Sequence, residues 1–207
     1  MTLTKPTKMI RRADRGVTFY FACDSIGKYT RSDTNGLRGE AIRRFFAERG
    51  LSAPEFELSC KGKPYFPRET GVCFSVSHSR GFFAAAFSES CRDIGIDIEC
   101  FVSREKSTDE QPAMLDTRFE RIAERFFSEG ERKKIYSSNE PDHEFIRVWT
   151  RKEAIVKCSG EGISGLRAAC ADSASSASGF ELYDFSDIAV SAMAGFLGAA
   201  SVALNKL

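Results

Sequence analysis

The chain has 207 residues, 42% of them hydrophobic and 18 of them phenylalanine, enough for one large domain or two small ones around a sizeable core. Thirty basic against 29 acidic residues leave a net charge of +1, which argues against a general nucleic-acid or membrane-surface binder and makes any anion site local. Seven cysteines form no Cys-x-x-Cys pair, and with only two histidines no zinc-type spacing appears; their odd number and scatter predict reduced, mostly buried thiols in a cytoplasmic protein.

Arg11, Arg12 and Arg15 precede the apolar run Val17 to Cys23, which is too short and too aromatic for a signal peptide and reads as the first strand. From Asp33 to Arg49 the pattern is helical. Asp33 or Thr34 offers a cap, Leu37, Ala41, Ile42, Phe45 and Phe46 form one stripe, and Gly50 supplies the stop. Arg38, Arg43 and Arg44 decorate this helix as a solvated face, the alternative being that one of them reaches a phosphate. Lys61-Gly62-Lys63-Pro64-Tyr65-Phe66-Pro67 is a stiff turn that presents the Lys63 amine at a defined place, although most such turns only connect strands. Phe74 to Ser79 alternates like a strand and ends in Ser77, His78 and Ser79, whose side chains and backbone amides suit a phosphate; a lone histidine is more often structural. Phe82 to Phe87 is apolar on both faces and is expected to be a central strand.

The chemistry concentrates in Ile94-Gly95-Ile96-Asp97-Ile98-Glu99. Strict alternation points the three isoleucines into a core and leaves Gly95, Asp97 and Glu99 together on the opposite face. Two carboxylates at i and i+2 lie roughly 6–7 Å apart on a strand, and in a partly dry site their repulsion costs about 2–3 kcal/mol, which a cation would remove. Gly95 leaves room for something bulky to approach the backbone. The plainer reading is an edge strand with a solvated acidic face. A turn at Ser90 to Asp93 is expected to make a hairpin, setting the acids beside the strand of Phe82 to Phe87.

Residues 103–116 lose periodicity and divide the chain, with expected halves at 1–102 and 118–207 joined by a linker at 103–117. A helix follows, with Phe119, Ile122, Ala123, Phe126 and Phe127 on its buried stripe. Ser128-Glu129-Gly130-Glu131 has the capping-box form, so the carboxylate of Glu131 has a structural reading as well as a functional one. Phe145 to Cys158 is a further helix on which Glu153 and Lys157 meet at i and i+4, either as an ordinary surface pair or as a metal ligand and a phosphate-steadying ammonium. Gly160-x-Gly162-x-x-Gly165 follows a helix instead of opening one, so it is a helix stop and not a dinucleotide fingerprint. Residues 168–178 form an Ala/Ser-rich loop, Phe180 to Phe185 is a strand, and the apolar stretch Ala189 to Leu204, shorter than a membrane span, reads as one or two buried strands.

In order, Gly62-Lys63-Pro64, Ser77-His78-Ser79, Gly95-Ile96-Asp97-Ile98-Glu99, Phe126-Phe127-Ser128 with Glu131, and Trp149-Thr150-Arg151-Lys152-Glu153-Ala154 with Lys157 resemble the surfactin-synthetase type of 4′-phosphopantetheinyl transferase. Each motif is weak alone; their order makes the signal specific. The resemblance implies an α+β fold made of a pseudo-twofold pair of similar halves, each a small, mainly antiparallel sheet packed on helices, with coenzyme A in the cleft between them. It implies magnesium-dependent transfer of the phosphopantetheine arm from coenzyme A to a serine of an apo acyl or peptidyl carrier protein, releasing adenosine 3′,5′-bisphosphate. By the same resemblance Asp97, Glu99 and Glu153 hold the metal, Lys63, Pro64, Ser77 and His78 bind the nucleotide end, and Lys157 steadies the pyrophosphate. Glu153 is the first choice of base and Glu131 the second. Gly39 with Arg44 matches the family's glycine and arginine on the first helix. The shortened N-terminal region departs from the family pattern, with Lys28 and Arg31 as substitutes for its missing basic contacts. Arg104, Lys106, Arg118 and Arg121 are candidates for meeting an acidic carrier. Two halves in one chain imply a monomer, and the near-neutral charge argues against nucleic-acid or membrane partners. The alternatives are another metal-dependent phosphoryl or nucleotidyl enzyme, or a non-catalytic relative.

Overall fold

The computed structural model describes residues 8–24, 29–101, 115–171, 180–193 and 196–206. The expected loop at 103–116, including Arg104 and Lys106, lies almost wholly outside the described residues, as do Lys28 and most of the Ala/Ser-rich loop. Strands β1 (Met9–Asp14), β2 (Val17–Cys23), β5 (Cys73–Ser79) and β6 (Phe82–Ser88) form an antiparallel sheet in the order β1-β2-β6-β5. Strands β7 (Cys91–Cys100), β8 (Phe180–Asp184) and β9 (Gly198–Lys206) form a second antiparallel sheet in the order β7-β9-β8. A short ribbon pairs β3 (Glu57–Leu58) with β4 (Pro64–Tyr65). The helices are α1 (Arg31–Ala47), α2 (Thr117–Phe126), α3 (Glu129–Tyr136), α4 (Pro141–Ser159) and α5 (Ser186–Ala192).

The layers run helix, sheet, sheet, helix. On one face of the first sheet, Tyr20, Phe83 and Phe87 pack against the α1 stripe of Leu37, Ala41, Ile42, Phe45 and Phe46. On its other face, Phe19, Phe21, Ala84 and Ala86 meet Ile94, Ile96 and Ile98 of β7 with Val202 and Leu204 of β9. The three isoleucines are at most 1% exposed, each contributing about 1.5–3 kcal/mol of apolar burial. The far face of the second sheet, through Leu182 and Ala203, takes Ala154, Ile155, Val156 and Cys158 of α4. This is an α+β architecture of small antiparallel sheets packed on helices, in a pseudo-symmetric two-lobe arrangement. Among the described residues no helix is long and apolar enough to cross a membrane.

Four local expectations change. No hairpin joins β6 to β7: both edges of β6 are filled by β2 and β5, so β7 crosses to the second sheet and pairs with β9. The arginine-bearing segment before Val17 is itself an edge strand, β1. Among the described residues of the apolar C-terminal stretch, 189–192 finish a helix, α5, and strand structure begins at Gly198 and runs on to Lys206. Thr30 caps α1 and Asp33 closes the box from the third helical position, its carboxylate accepting from Thr30 N at 2.8 Å.

Helix α4 crosses β7 at Gly95, where an added Cβ would collide with the Ala154 carbonyl oxygen and the Cys158 amide nitrogen. Both are backbone atoms of a packed helix and cannot yield by a rotamer change. Gly95→Ala is therefore expected to lower stability by about 3 kcal/mol, read as a shift in the urea midpoint; an unchanged midpoint contradicts this packing.

On the other side of α4, Asp184 accepts from Arg151 Nε at 3.0 Å, from Arg147 Nη2 at 3.4 Å and from Ser201 Oγ at 3.0 Å. Burial pushes its pKa up, but the Arg151 bonds and charge, the Ser201 hydroxyl and Arg147 outweigh burial and hold it below the usual value. A depressed carboxylate stabilises the fold above its unfolded pKa and loses that contribution as pH falls through the folded one. Asp184→Asn should cost on the order of 1 kcal/mol at pH 7 and flatten the acid limb of a stability–pH profile, a difference measurable by thermal melts between pH 2 and 7.

Candidate active site

The site begins with a mismatch of edges. β5 ends one sheet and β7 ends the other, and the outward N–H groups of β7 need partners that no neighbouring strand supplies. Serine hydroxyls on alternate positions of β5 meet them: Ile96 N donates to Ser75 Oγ at 3.1 Å, Ile98 N to Ser77 Oγ at 3.3 Å and Cys100 N to Ser79 Oγ at 3.2 Å. Two of these hydroxyls pass their own proton to the acids of β7, Ser77 to Asp97 Oδ1 at 2.8 Å and Ser79 to Glu99 Oε1 at 2.7 Å. Below them on the same face of β5, Cys73 Sγ lies 2.8 Å from Cys91 Sγ.

The crossing at Gly95 sets α4 over these acids. Lys157 Nζ donates to Asp97 Oδ1 at 2.6 Å and to Ser77 Oγ at 3.0 Å. Asp97 is buried, while Glu99, Glu153 and Lys157 are half-buried. Burial and then the negative charge of Asp97 raise the pKa of Glu153, with Lys157 opposing. Glu99 is also raised, first by burial, against the Ser79 hydrogen bond and with Asp97 adding to the rise. Burial is thus the main cause of both rises, and the charge of Asp97 adds to each. The exposed His78 is pushed below its usual value by desolvation and by Lys157, with Asp97 opposing, so its ring is mainly neutral at pH 7.

A cleft of about 290 Å³ opens here, lined by Lys63, Pro64, Val76, Glu153, Lys157 and Gly160 among others. Lys63 is not a free amine: its Nζ donates to Asp93 Oδ1 and to the Cys158 carbonyl, both at 2.6 Å, fastening the turn to β7 and to the end of α4. A second cleft, of about 370 Å³, shares Lys61, Lys63 and Gly160 with the first.

Of the residues singled out in the sequence, Lys63, Pro64, Ser77, Asp97, Glu153 and Lys157 come together, with Glu99 one rung along from Asp97. Arg44 is not among them; it is exposed, held on α1 by Glu40 at 2.7 Å and by the Met9 carbonyl at 3.4 Å. Arg118 pairs with Asp116 at 2.9 Å. Glu131 is fully buried and closes the capping box of α3, accepting from Ser128 N at 2.7 Å. Its remaining capacity goes to Lys152 Nζ at 3.0 and 3.2 Å and to Ala171 N at 2.7 Å, and Lys152 also bonds the Ala169 carbonyl. That leaves no oxygen of Glu131 facing solvent or the cleft. The structural role of Ser75 and Ser79 was missed; its signal was the period-2 serine stripe, in phase with the acidic stripe of β7.

Glu153 lines the cleft and Asp97 lies behind it on Lys157, with Glu99 two residues further along β7, and such carboxylate oxygens are the donor chemistry of a hard cation. Among the described residues no three His, Cys, Asp or Glu side chains form a ready-made metal cluster. The arrangement fits magnesium, which takes one or two carboxylates plus water and substrate phosphates in preference to a closed protein cage.

Residues 93–195, from the first acids of β7 to just beyond α5, match the model of the ACPS family, described as the 4′-phosphopantetheinyl transferase superfamily. The chain belongs to the 4′-phosphopantetheinyl transferase superfamily. It is 33% identical over 106 residues to a 4′-phosphopantetheinyl transferase of Bacillus subtilis, covering 50% of this chain and 40% of that one. It is 31% identical over 147 residues to 4′-phosphopantetheinyl transferase HetI of Nostoc sp., covering 61% and 56%. To 4′-phosphopantetheinyl transferase AcpT of Escherichia coli O157:H7 it is 33% identical over 139 residues, covering 60% and 64%. The chain thus spans about half the length of the curated relatives it matches. The superfamily match contains Asp97, Glu99, Glu153 and Lys157, while Lys63 and the serine stripe lie before it.

The buried Glu131–Lys152 pair gives a direct test of its structural role. Removing one partner of such a pair strands the other charge, so Lys152→Met is expected to cost about 3–5 kcal/mol in a denaturation experiment. Replacing both, as Glu131→Gln with Lys152→Met, is expected to recover much of that loss.

Proposed function

We propose that the protein transfers the 4′-phosphopantetheine arm of coenzyme A to a serine hydroxyl of an apo acyl or peptidyl carrier protein and releases adenosine 3′,5′-bisphosphate. The observation that carries this reading is the contact of Lys157 with Asp97 and Ser77 at a cleft also lined by Glu153 and Lys63, on the segment that matches the superfamily. We place the chain with the two-half, single-chain surfactin-synthetase type, halves 1–102 and 118–207 joined by 103–117, acting as a cytoplasmic monomer. The two-lobe architecture supports this placement.

In the reaction the carrier hydroxyl oxygen attacks the phosphorus bearing the pantetheine arm, and the bond to the bridging oxygen of the diphosphate breaks. Negative charge grows on the departing phosphate, where a positioned ammonium is most useful. Lys157 is the group for that task, turning from Asp97 to the phosphate oxygens. Glu153 takes the hydroxyl proton, and its raised pKa brings it closer to the range in which a base works at neutral pH. Lys63 and Pro64 shape the nucleotide end, beside the neutral His78. Asp97, Glu99 and Glu153 would hold magnesium, which would supply charge neutralisation on the diphosphate when bound.

The test is intact-mass analysis of apo carrier proteins incubated with the protein, coenzyme A and magnesium. A gain of one phosphopantetheine is expected, absent when the carrier serine is replaced by alanine. Asp97→Ala should lower the rate at least a hundred-fold with the melting profile retained. Turnover of coenzyme A without carrier modification would contradict the reading and favour another phosphoryl transfer.

A further inference from the structure

We infer that Ser77 and Ser79 are positioning residues that hold the carboxylates of Asp97 and Glu99 for the metal and diphosphate, so that neither hydroxyl is a contact to coenzyme A. The inference rests on the proposed transferase reading and follows from hydrogen-bond accounting. A serine hydroxyl has one proton and two lone pairs. Ser77 Oγ accepts from Ile98 N at 3.3 Å and from Lys157 Nζ at 3.0 Å, which occupies both lone pairs. Its single proton therefore goes to Asp97 Oδ1 at 2.8 Å, and nothing remains for a phosphate. Ser79 Oγ accepts from Cys100 N at 3.2 Å and donates to Glu99 Oε1 at 2.7 Å. Both serines are 5% exposed, so water does not compete for these positions.

The backbone of β7 thus sets each hydroxyl, and each hydroxyl sets the acid one residue back on the same strand. The bonds from Ser77 and Lys157 converge on Asp97 Oδ1 and the bond from Ser79 falls on Glu99 Oε1, with the Cys100 backbone N–H also turned to the Glu99 carboxylate. Side-chain tethers that fall on one oxygen of an acid are the usual way in which the groups behind a metal ligand orient it. Ser75 supplies an internal comparison. It makes the same backbone contact, to Ile96 N at 3.1 Å, but the residue opposite its rung is Gly95, which has no carboxylate to hold. If the stripe only glued two sheets together, the three serines would be equivalent.

The experiment is a titration of manganese(II), followed by electron paramagnetic resonance, into the protein saturated with coenzyme A, with thermal melts alongside. Ser79→Ala is expected to weaken manganese binding about ten-fold or more, Ser79→Thr to restore it, and Ser75→Ala to keep the wild-type affinity despite a comparable loss in melting temperature. In a Glu99→Gln background the effect of Ser79→Ala on manganese should vanish. Should the alanine variant not fold, Ser79→Cys, a weaker donor of similar size, is expected to bind with intermediate affinity. Wild-type affinity in Ser79→Ala, or in Ser79→Cys where that is the folded variant, overturns the inference while leaving the metal reading intact. Equal losses in Ser75→Ala and Ser79→Ala also overturn it. A wild-type protein that holds no manganese beyond what coenzyme A binds alone overturns the metal reading and the inference together.

Discussion

The edge-to-edge contact between β5 and β7 is the constraint on which the site depends. Two sheet edges could have fused into one ladder, which would have flattened the molecule and paired every backbone group. Here serine hydroxyls stand between them, each taking a backbone N–H from β7. A side chain is longer than a direct ladder bond, so the strands keep a spacing that holds polar groups between two hydrophobic layers. The phenylalanine and isoleucine core beneath excludes water from one side, and α4 closes the other where Gly95 admits it. The acids of β7 are consequently buried or half-buried without being sealed.

Electrostatics follows from that placement. Three carboxylates and one ammonium share a region of reduced solvation, and Asp97 makes both Glu99 and Glu153 harder to ionise. Lys157 relieves part of this by pairing with Asp97. A second positive charge is absorbed elsewhere, since Lys63 is tied to Asp93 and to the end of α4. On the proposed reading, these acids take up cationic charge while Lys157 presents an ammonium to an anion, the combination that a metal–diphosphate substrate requires. By contrast, the Lys152–Glu131 pair one residue away along α4 is dry and saturated, and works as a structural bolt between α3, α4 and the chain at 169–171. Adjacent residues on one helix serve different ends because successive side chains point about 100° apart.

Where local physics decides the outcome, the sequence was informative. The alternation of Ile94, Ile96 and Ile98, the capping box at Ser128 and the room left by Gly95 each depend on residues close in the chain, and each appears in the structure as its chemistry suggests. The choice of partner for β7 is a competition for free edges, settled by strands far apart in sequence, and local pattern could not report it. β1 was hidden because an edge strand carries charged residues with little alternation. The helix α5 was hidden because seven mostly small or apolar residues satisfy both helical and extended periods. In the site, residue types singled out Lys63, Ser77, Asp97, Glu153 and Lys157, which the fold brings near one another, but the engagement of Lys63 and the saturation of Ser77 are properties of three-dimensional neighbours alone.

The central claim is that the cleft beside Asp97 is where a diphosphate is bound and its charge met by Lys157. A crystal structure of the protein with coenzyme A and magnesium tests it most directly. The account predicts the diphosphate between β7 and α4, with Lys157 Nζ moved from Asp97 Oδ1 to a phosphate oxygen and the hydroxyls of Ser77 and Ser79 still donating to their acids. A diphosphate bound away from this cleft, or one bound in it with the 2.6 Å Lys157–Asp97 contact unbroken, would contradict it.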